Sequence, residues 1–149
     1  MASLVRQNPG ALAELARKIA EGPRELKVGF LKGGTYEDGT SLPMVAATNE
    51  FGVPARGQPA RPFFRSMIAA QSPKWGKMAS VLLKRNGLDI DAMLDTMGQE
   101  IVGRVQESIN NLMDPPLAKS TIERKGFDKP LIDTSFMVKH VAYIVNKSE

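Results

Sequence analysis

Apolar residues recur along this chain in two rhythms, steps of three and four residues and steps of two, and the changes of rhythm divide it into elements. Asn8-Pro9 is a helix start, a capping side chain followed by a proline whose missing N–H costs nothing at that position. Leu12, Leu15, Ala16 and Ile19 then share one face, and Gly22-Pro23 closes the segment. From Glu25 to Lys32 the spacing changes to two, with Leu26, Val28 and Phe30 on one side, which predicts a strand. Gly33 to Ser41 is a polar loop with an Asp38-Gly39 turn signal. Ser41 is placed to cap a short helix whose apolar face is Met44, Ala47 and Phe51, ending at Gly52.

The segment from Val53 to Pro62 holds three prolines and two arginines, a composition that excludes an interior strand or helix. Pro62 opens a helix carrying Phe64, Met67 and Ile68 or Gln71, and a less regular piece is expected from Ser72 through Trp75 to Gly87. The clearest element runs from Asp89 to Leu112. Ile90, Leu94, Met97, Ile101, Val105, Ile109 and Leu112 form a stripe at about 3.6 residues per turn, as a long central helix requires. Asp114-Pro115-Pro116 breaks it, and a short helix follows over Leu117–Lys125. Asp133 caps one more turn, and Val141, Tyr143 and Val145 alternate in a second strand. The pattern predicts an α+β fold: a small antiparallel sheet packed with several helices, one of them long and central. One domain is expected over residues 1–149, with an N-terminal helix within 1–22 and an extended Pro/Arg loop at 53–61.

Composition narrows the function. With no cysteine and His140 as the only histidine, a thiolate or histidine metal cluster has no ligands, so no metal or other cofactor is expected. No apolar run approaches the roughly 18 residues of a membrane span, and charges at Glu14, Arg17 and Lys18 interrupt any signal-like stretch. The formal charge of +4 is compatible with nucleic acid nearby without requiring it. Neither a nucleophile elbow nor a GxxxxGK[ST] phosphate loop occurs. Asp114, Glu123 and Lys125 have the residue types of a Mg²⁺-dependent nuclease. On a short helix, however, Glu123 and Lys125 point roughly 200° apart. His140 is read as a hydrogen-bonding or strand-edge side chain rather than a general base. Arg56, Arg61 and Arg65 cluster in and after the Pro-rich loop and suit phosphates or an acidic partner, with a small DNA-binding module as the competing reading. Phe63 and Phe64 are apolar anchors, for the core or for a neighbouring subunit.

Two blocks carry a resemblance. The first comprises Lys27-Val28-Gly29-Phe30, Tyr36-Glu37-Asp38-Gly39-Thr40-Ser41, Val45-Ala46-Ala47-Thr48-Asn49-Glu50-Phe51-Gly52 and Pro59-Ala60-Arg61-Pro62-Phe63-Phe64-Arg65. The second comprises Pro116-Leu117-Ala118-Lys119-Ser120-Thr121-Ile122, Lys125-Gly126 and Lys129-Pro130-Leu131-Ile132-Asp133-Thr134. Together they resemble the tail-component, or tail-completion and virion-morphogenesis, family of tailed phages, over most of residues 27–145. Ser135 stands where the family usually has glycine, and His140 where serine is common. The resemblance implies a structural virion protein at the head-proximal end of the tail, assembled in the host bacterial cytoplasm, which joins head to tail as a ring. A tail terminator or another minor tail protein is the alternative. The implied partners are further copies of itself in a hexameric ring, a head-closure or connector protein, and a tail-tube or terminator protein, with genomic DNA passing through the lumen. It implies no enzyme activity, no cofactor and no membrane. Asn49, Glu50, Arg56, Arg61, Phe63, Phe64 and Arg65 become the expected interaction residues.

Overall fold

The computed structural model describes residues 9–21, 24–112 and 131–147. Its elements run α1 (Pro9–Ala20), β1 (Arg24–Gly29), α2 (Leu42–Phe51), a 3₁₀ turn (Pro54–Arg56), α3 (Phe63–Arg85), α4 (Ile90–Leu112), α5 (Leu131–His140) and β2 (Ala142–Lys147). The two strands pair in one antiparallel sheet, and the fold is α+β as the sequence pattern predicts. Among the described residues no helix is long and apolar enough to cross a membrane.

The chain forms two compact units, each assembled from separated stretches: one from residues 1–29, 71–102 and 143–149, the other from 30–70 and 103–142. Helices α3 and α4 each contribute to both.

In the first unit Leu82, Met93 and Met97 are buried, with Leu26, Trp75, Met78, Ala79, Leu83, Ile90 and Leu94 packed around them. The sequence pattern predicts a less regular piece from Ser72 through Trp75 to Gly87, and Pro73 lacks the N–H that an interior helical residue donates. The helix instead continues through Pro73 to Arg85. Trp75, Met78, Ala79 and Leu82 recur at three- and four-residue steps, and burying them outweighs one lost hydrogen bond. Gly87, at φ 63°, then ends the helix: the Leu88 N–H donates to the Leu83 carbonyl at 2.8 Å, the Schellman arrangement. Leu88 itself is left-handed at φ 66° and almost wholly buried, so its burial offsets a backbone cost of about 1–2 kcal/mol. Asp89 starts α4, its Oδ1 accepting the N–H groups of Asp91 and Ala92. Gly98 faces Tyr143, whose ring would collide with a Cβ at that position.

α1 sits differently from its pattern. Ala11 is its buried residue, whereas Leu12 and Ile19 are 45% and 60% exposed. Lys18, on the inward side, reaches Asp89 at 3.1 Å and Asp91 at 3.3 Å. These ion pairs turn the helix so that Leu12, Ala16 and Ile19 of its apolar stripe face outward and only Leu15 is partly covered.

The second unit buries Leu42, Phe63, Val105, Ile109 and Met137 almost completely. The Tyr36–Ser41 loop closes on itself through a Thr35–Ser41 bridge and a hydrogen bond from the Tyr36 N–H to the Thr40 carbonyl. Asp38 accepts the Thr40 N–H at 2.9 Å, and hydrogen bonding to Thr40 holds its carboxyl below the ordinary range. Ser41 occupies the cap position of α2 without a side-chain cap bond. α5 is longer than the single turn expected after Asp133 and includes both Ser135 and His140. Ser135 is therefore helical, and no left-handed backbone is needed there.

Candidate interaction surface

Helix α2 sets the geometry, and its buried face is not the apolar one read from the sequence. Leu42, Ala46 and Glu50, at four-residue steps, point inward; Met44, Ala47 and Phe51 point out. Met44 and Phe51 are each 65% exposed.

The inversion has a cause in the residues that follow. Glu50 is 6% exposed, and its carboxylate accepts the Phe64 N–H at 2.9 Å and the Arg65 N–H at 3.1 Å. These amides belong to the first turn of α3, where no helical carbonyl is available to them, and a carboxylate there also meets the positive end of the helix dipole. The Arg65 guanidinium doubles the link, with Nε donating to Glu50 Oε1 at 2.7 Å and Nη2 to the Glu50 carbonyl at 2.9 Å. Its Cζ lies 5.0 Å from the centre of the Phe51 ring, a cation–π distance. Glu50 thus caps a helix that starts 13 residues further along the chain.

Between Glu50 and α3 the chain must double back. Gly52 turns it at φ 71°, and any Cβ there would lie 2.6–2.8 Å from the backbone of Gln58, Pro59 and Ala60, so only glycine fits. The Val53 and Gln58 amides and carbonyls bond reciprocally at 2.9 and 3.1 Å around the Pro54–Arg56 turn. The Arg61 N–H then returns to the Asn49 carbonyl at 2.6 Å. The Pro/Arg loop expected to be extended is a closed turn over most of its length: reciprocal backbone bonds hold residues 53–58 together, and residues 59–62 lead from it into α3.

The expected interaction residues therefore divide. Asn49, Glu50, Arg61 and Arg65 close the turn. Phe63 is 1% exposed and meets Phe30 and Phe64 edge to face, while its carbonyl accepts the Ser108 hydroxyl at 2.6 Å. Phe64 is half-buried. Arg56 stands exposed at the tip of the turn, with no ion pair among the described residues. What sequence reading missed is the outward face of Met44, Ala47 and Phe51, with the exposed part of Arg65 against Phe51. The only available signal was Glu50, four and eight residues from Ala46 and Leu42, and spacing does not say that a glutamate is buried.

His140 ends α5. Its Nδ1 lies 2.7 Å from the Phe136 carbonyl, which can only accept, so the proton sits on Nδ1. The ring stacks on Phe136 at 4.2 Å, and Phe136 meets Tyr36 at 4.4 Å. Among the described residues no group of three His, Asp or Glu could hold a metal ion. Asp114, Glu123, Lys125 and most of the second motif block lie outside the described residues. No family model, curated protein or solved structure matches this chain.

Proposed function

We propose that this chain is a structural subunit of a tailed-phage virion: a ring-forming tail-completion protein at the head-proximal end of the tail, with no catalytic step of its own. The sequence support is the pair of motif blocks, in order along the chain. The structural observation that carries the reading is the outward face of α2. Three apolar side chains, Met44, Ala47 and Phe51, are presented on one side of a helix whose other side is filled. Apolar groups gathered this way on a surface mark an association site, and a ring subunit needs one for the next copy. The turn built by Asn49, Glu50, Gly52, Arg61 and Arg65 holds that face rigid, so association costs little ordering entropy. On this reading the ring is hexameric and meets a connector protein on one side and the tail tube or its terminator on the other.

The test is assembly. Native mass spectrometry of the full chain should give closed oligomers, and Met44→Glu/Phe51→Glu should leave monomers with an unchanged far-ultraviolet dichroism spectrum. In the phage, loss of the gene should give filled heads beside unattached tails in electron micrographs. A wild-type chain that remains monomeric, together with full infectivity of the knockout, would overturn the proposal.

A further inference from the structure

The modest net charge conceals a segregated one. Between Glu50 and Asp89 the sequence contains no Asp or Glu but seven basic residues: Arg56, Arg61, Arg65, Lys74, Lys77, Lys84 and Arg85. The rest of the chain holds 13 basic against 16 acidic residues, so the positive excess belongs wholly to this stretch. Arg61 and Arg65 help close the turn after α2. Lys74, Lys77, Lys84 and Arg85 have no such use.

Those four lie on the second half of α3. At about 100° per residue they fall within roughly 100° of arc, spread over about 16 Å of helix axis. All four are exposed. They occupy the side opposite Trp75, Ala79 and Leu83, which pack into the first unit. Elsewhere in that unit Arg17 is neutralised by Glu14 and Glu21, Lys18 by Asp89 and Asp91, Arg24 by Glu21 and Asp91, and Lys27 by Glu25. None of the four on α3 has an acidic partner among the described residues.

We propose that this face of α3 binds the phosphate backbone of nucleic acid without reading its sequence. Four uncompensated cations along one straight edge fit a line of phosphates, each contact releasing condensed counterions. The exposed positions among them offer no Asn, Gln, Asp or Glu to read base edges, which is why sequence drops out. An acidic peptide is the poorer fit. It would need an apolar stripe beside the charges. Pro73, Met78, Val81 and Leu82 line a shallow depression beside Lys74, Lys77 and Arg85, but Met78 and Leu82 are engaged in the core of the unit and only Val81, 44% exposed, is left as an apolar anchor.

The experiment is fluorescence anisotropy of the full chain with a labelled 20-base-pair duplex, at 50 and 200 mM salt. If about four phosphates are engaged, affinity should fall about a hundredfold between these salts, equally for two unrelated sequences. Lys77→Glu/Lys84→Glu should weaken binding at least tenfold at 50 mM salt and flatten the salt dependence, and the neutral Lys77→Gln/Lys84→Gln should do the same to a smaller degree. Lys32→Glu/Lys139→Glu, with the same net charge, should bind within twofold of wild type. Melting temperatures should agree across all four, since none of these side chains is buried. Absence of duplex binding at 50 mM salt, or equal loss in both charge-reversal pairs, overturns the proposal. So does displacement of the duplex by poly-glutamate at matched charge concentration, which would point to an acidic protein instead. None of these outcomes depends on ring assembly.

Discussion

The two units bury their polar groups in opposite ways. In the first the cations are the buried partners: the Lys18 and Arg24 side chains are 16% and 7% exposed, while Asp89 and Asp91, which they reach, remain about half exposed. Water competes for the two carboxylates, and ion pairs with so exposed a partner contribute up to about 1 kcal/mol each. In the second, one carboxylate is nearly sealed, and four hydrogen bonds to Glu50 tie α2 to the start of α3. The difference teaches where stability is concentrated. A distributed network tolerates single losses, whereas a single buried acceptor does not.

The sharpest way to break that contrast is Glu50→Ala. It orphans two amides of α3 and one guanidinium N–H, and should cost about 3 kcal/mol in urea unfolding. Amide exchange at Phe64 and Arg65 should accelerate before that of α4. Exchange rates there equal to wild type would show that the cap is not made in solution. Gly98→Ala probes the first unit at its tightest point. Alanine gains about 1 kcal/mol of helix propensity, but its Cβ collides with Tyr143, whose hydroxyl donates to Asp95 at 2.7 Å. A net loss of about 1–2 kcal/mol is expected, with Tyr143→Ala in the same background recovering the helix gain.

Asp89→Asn should have the smallest effect at neutral pH, because asparagine also caps helices. Its signature is in acid. The Ala92 N–H, with Lys18 second, holds the Asp89 carboxyl below its ordinary value of 3.8. A lowered folded value means stability that is present at neutral pH and lost as pH falls through about 4 toward that value. Wild type should therefore lose stability more steeply than the variant between pH 5 and 2. Parallel curves would show that Asp89 contributes nothing through its charge.

Legibility from sequence followed how strongly burial and pattern agree. Helix α4 was plain because Met97, Ile101, Val105 and Ile109 are both periodic and buried. The second half of α3 was hidden by Pro73, since a local rule about proline predicts a break that tertiary packing overrides. In α1 and α2 the pattern found the helices and chose the wrong inner face. Both errors have one origin: a charged residue, Lys18 in α1 and Glu50 in α2, is held inward by partners distant in sequence. A periodicity count has no access to such partners. The residues around Glu50 drew notice as expected interaction residues, and the structure places most of them beneath the exposed face rather than on it.

The sheet pairs residues 24–29 with residues 142–147. A ribosome making this chain releases the first strand long before the second exists, so β1 waits with its edge unpaired through the synthesis of helices α2 to α5. The first unit can close only once residues 142–147 have been made. Until then its Leu26 and Val28 are available to chaperones, or to a neighbouring nascent chain.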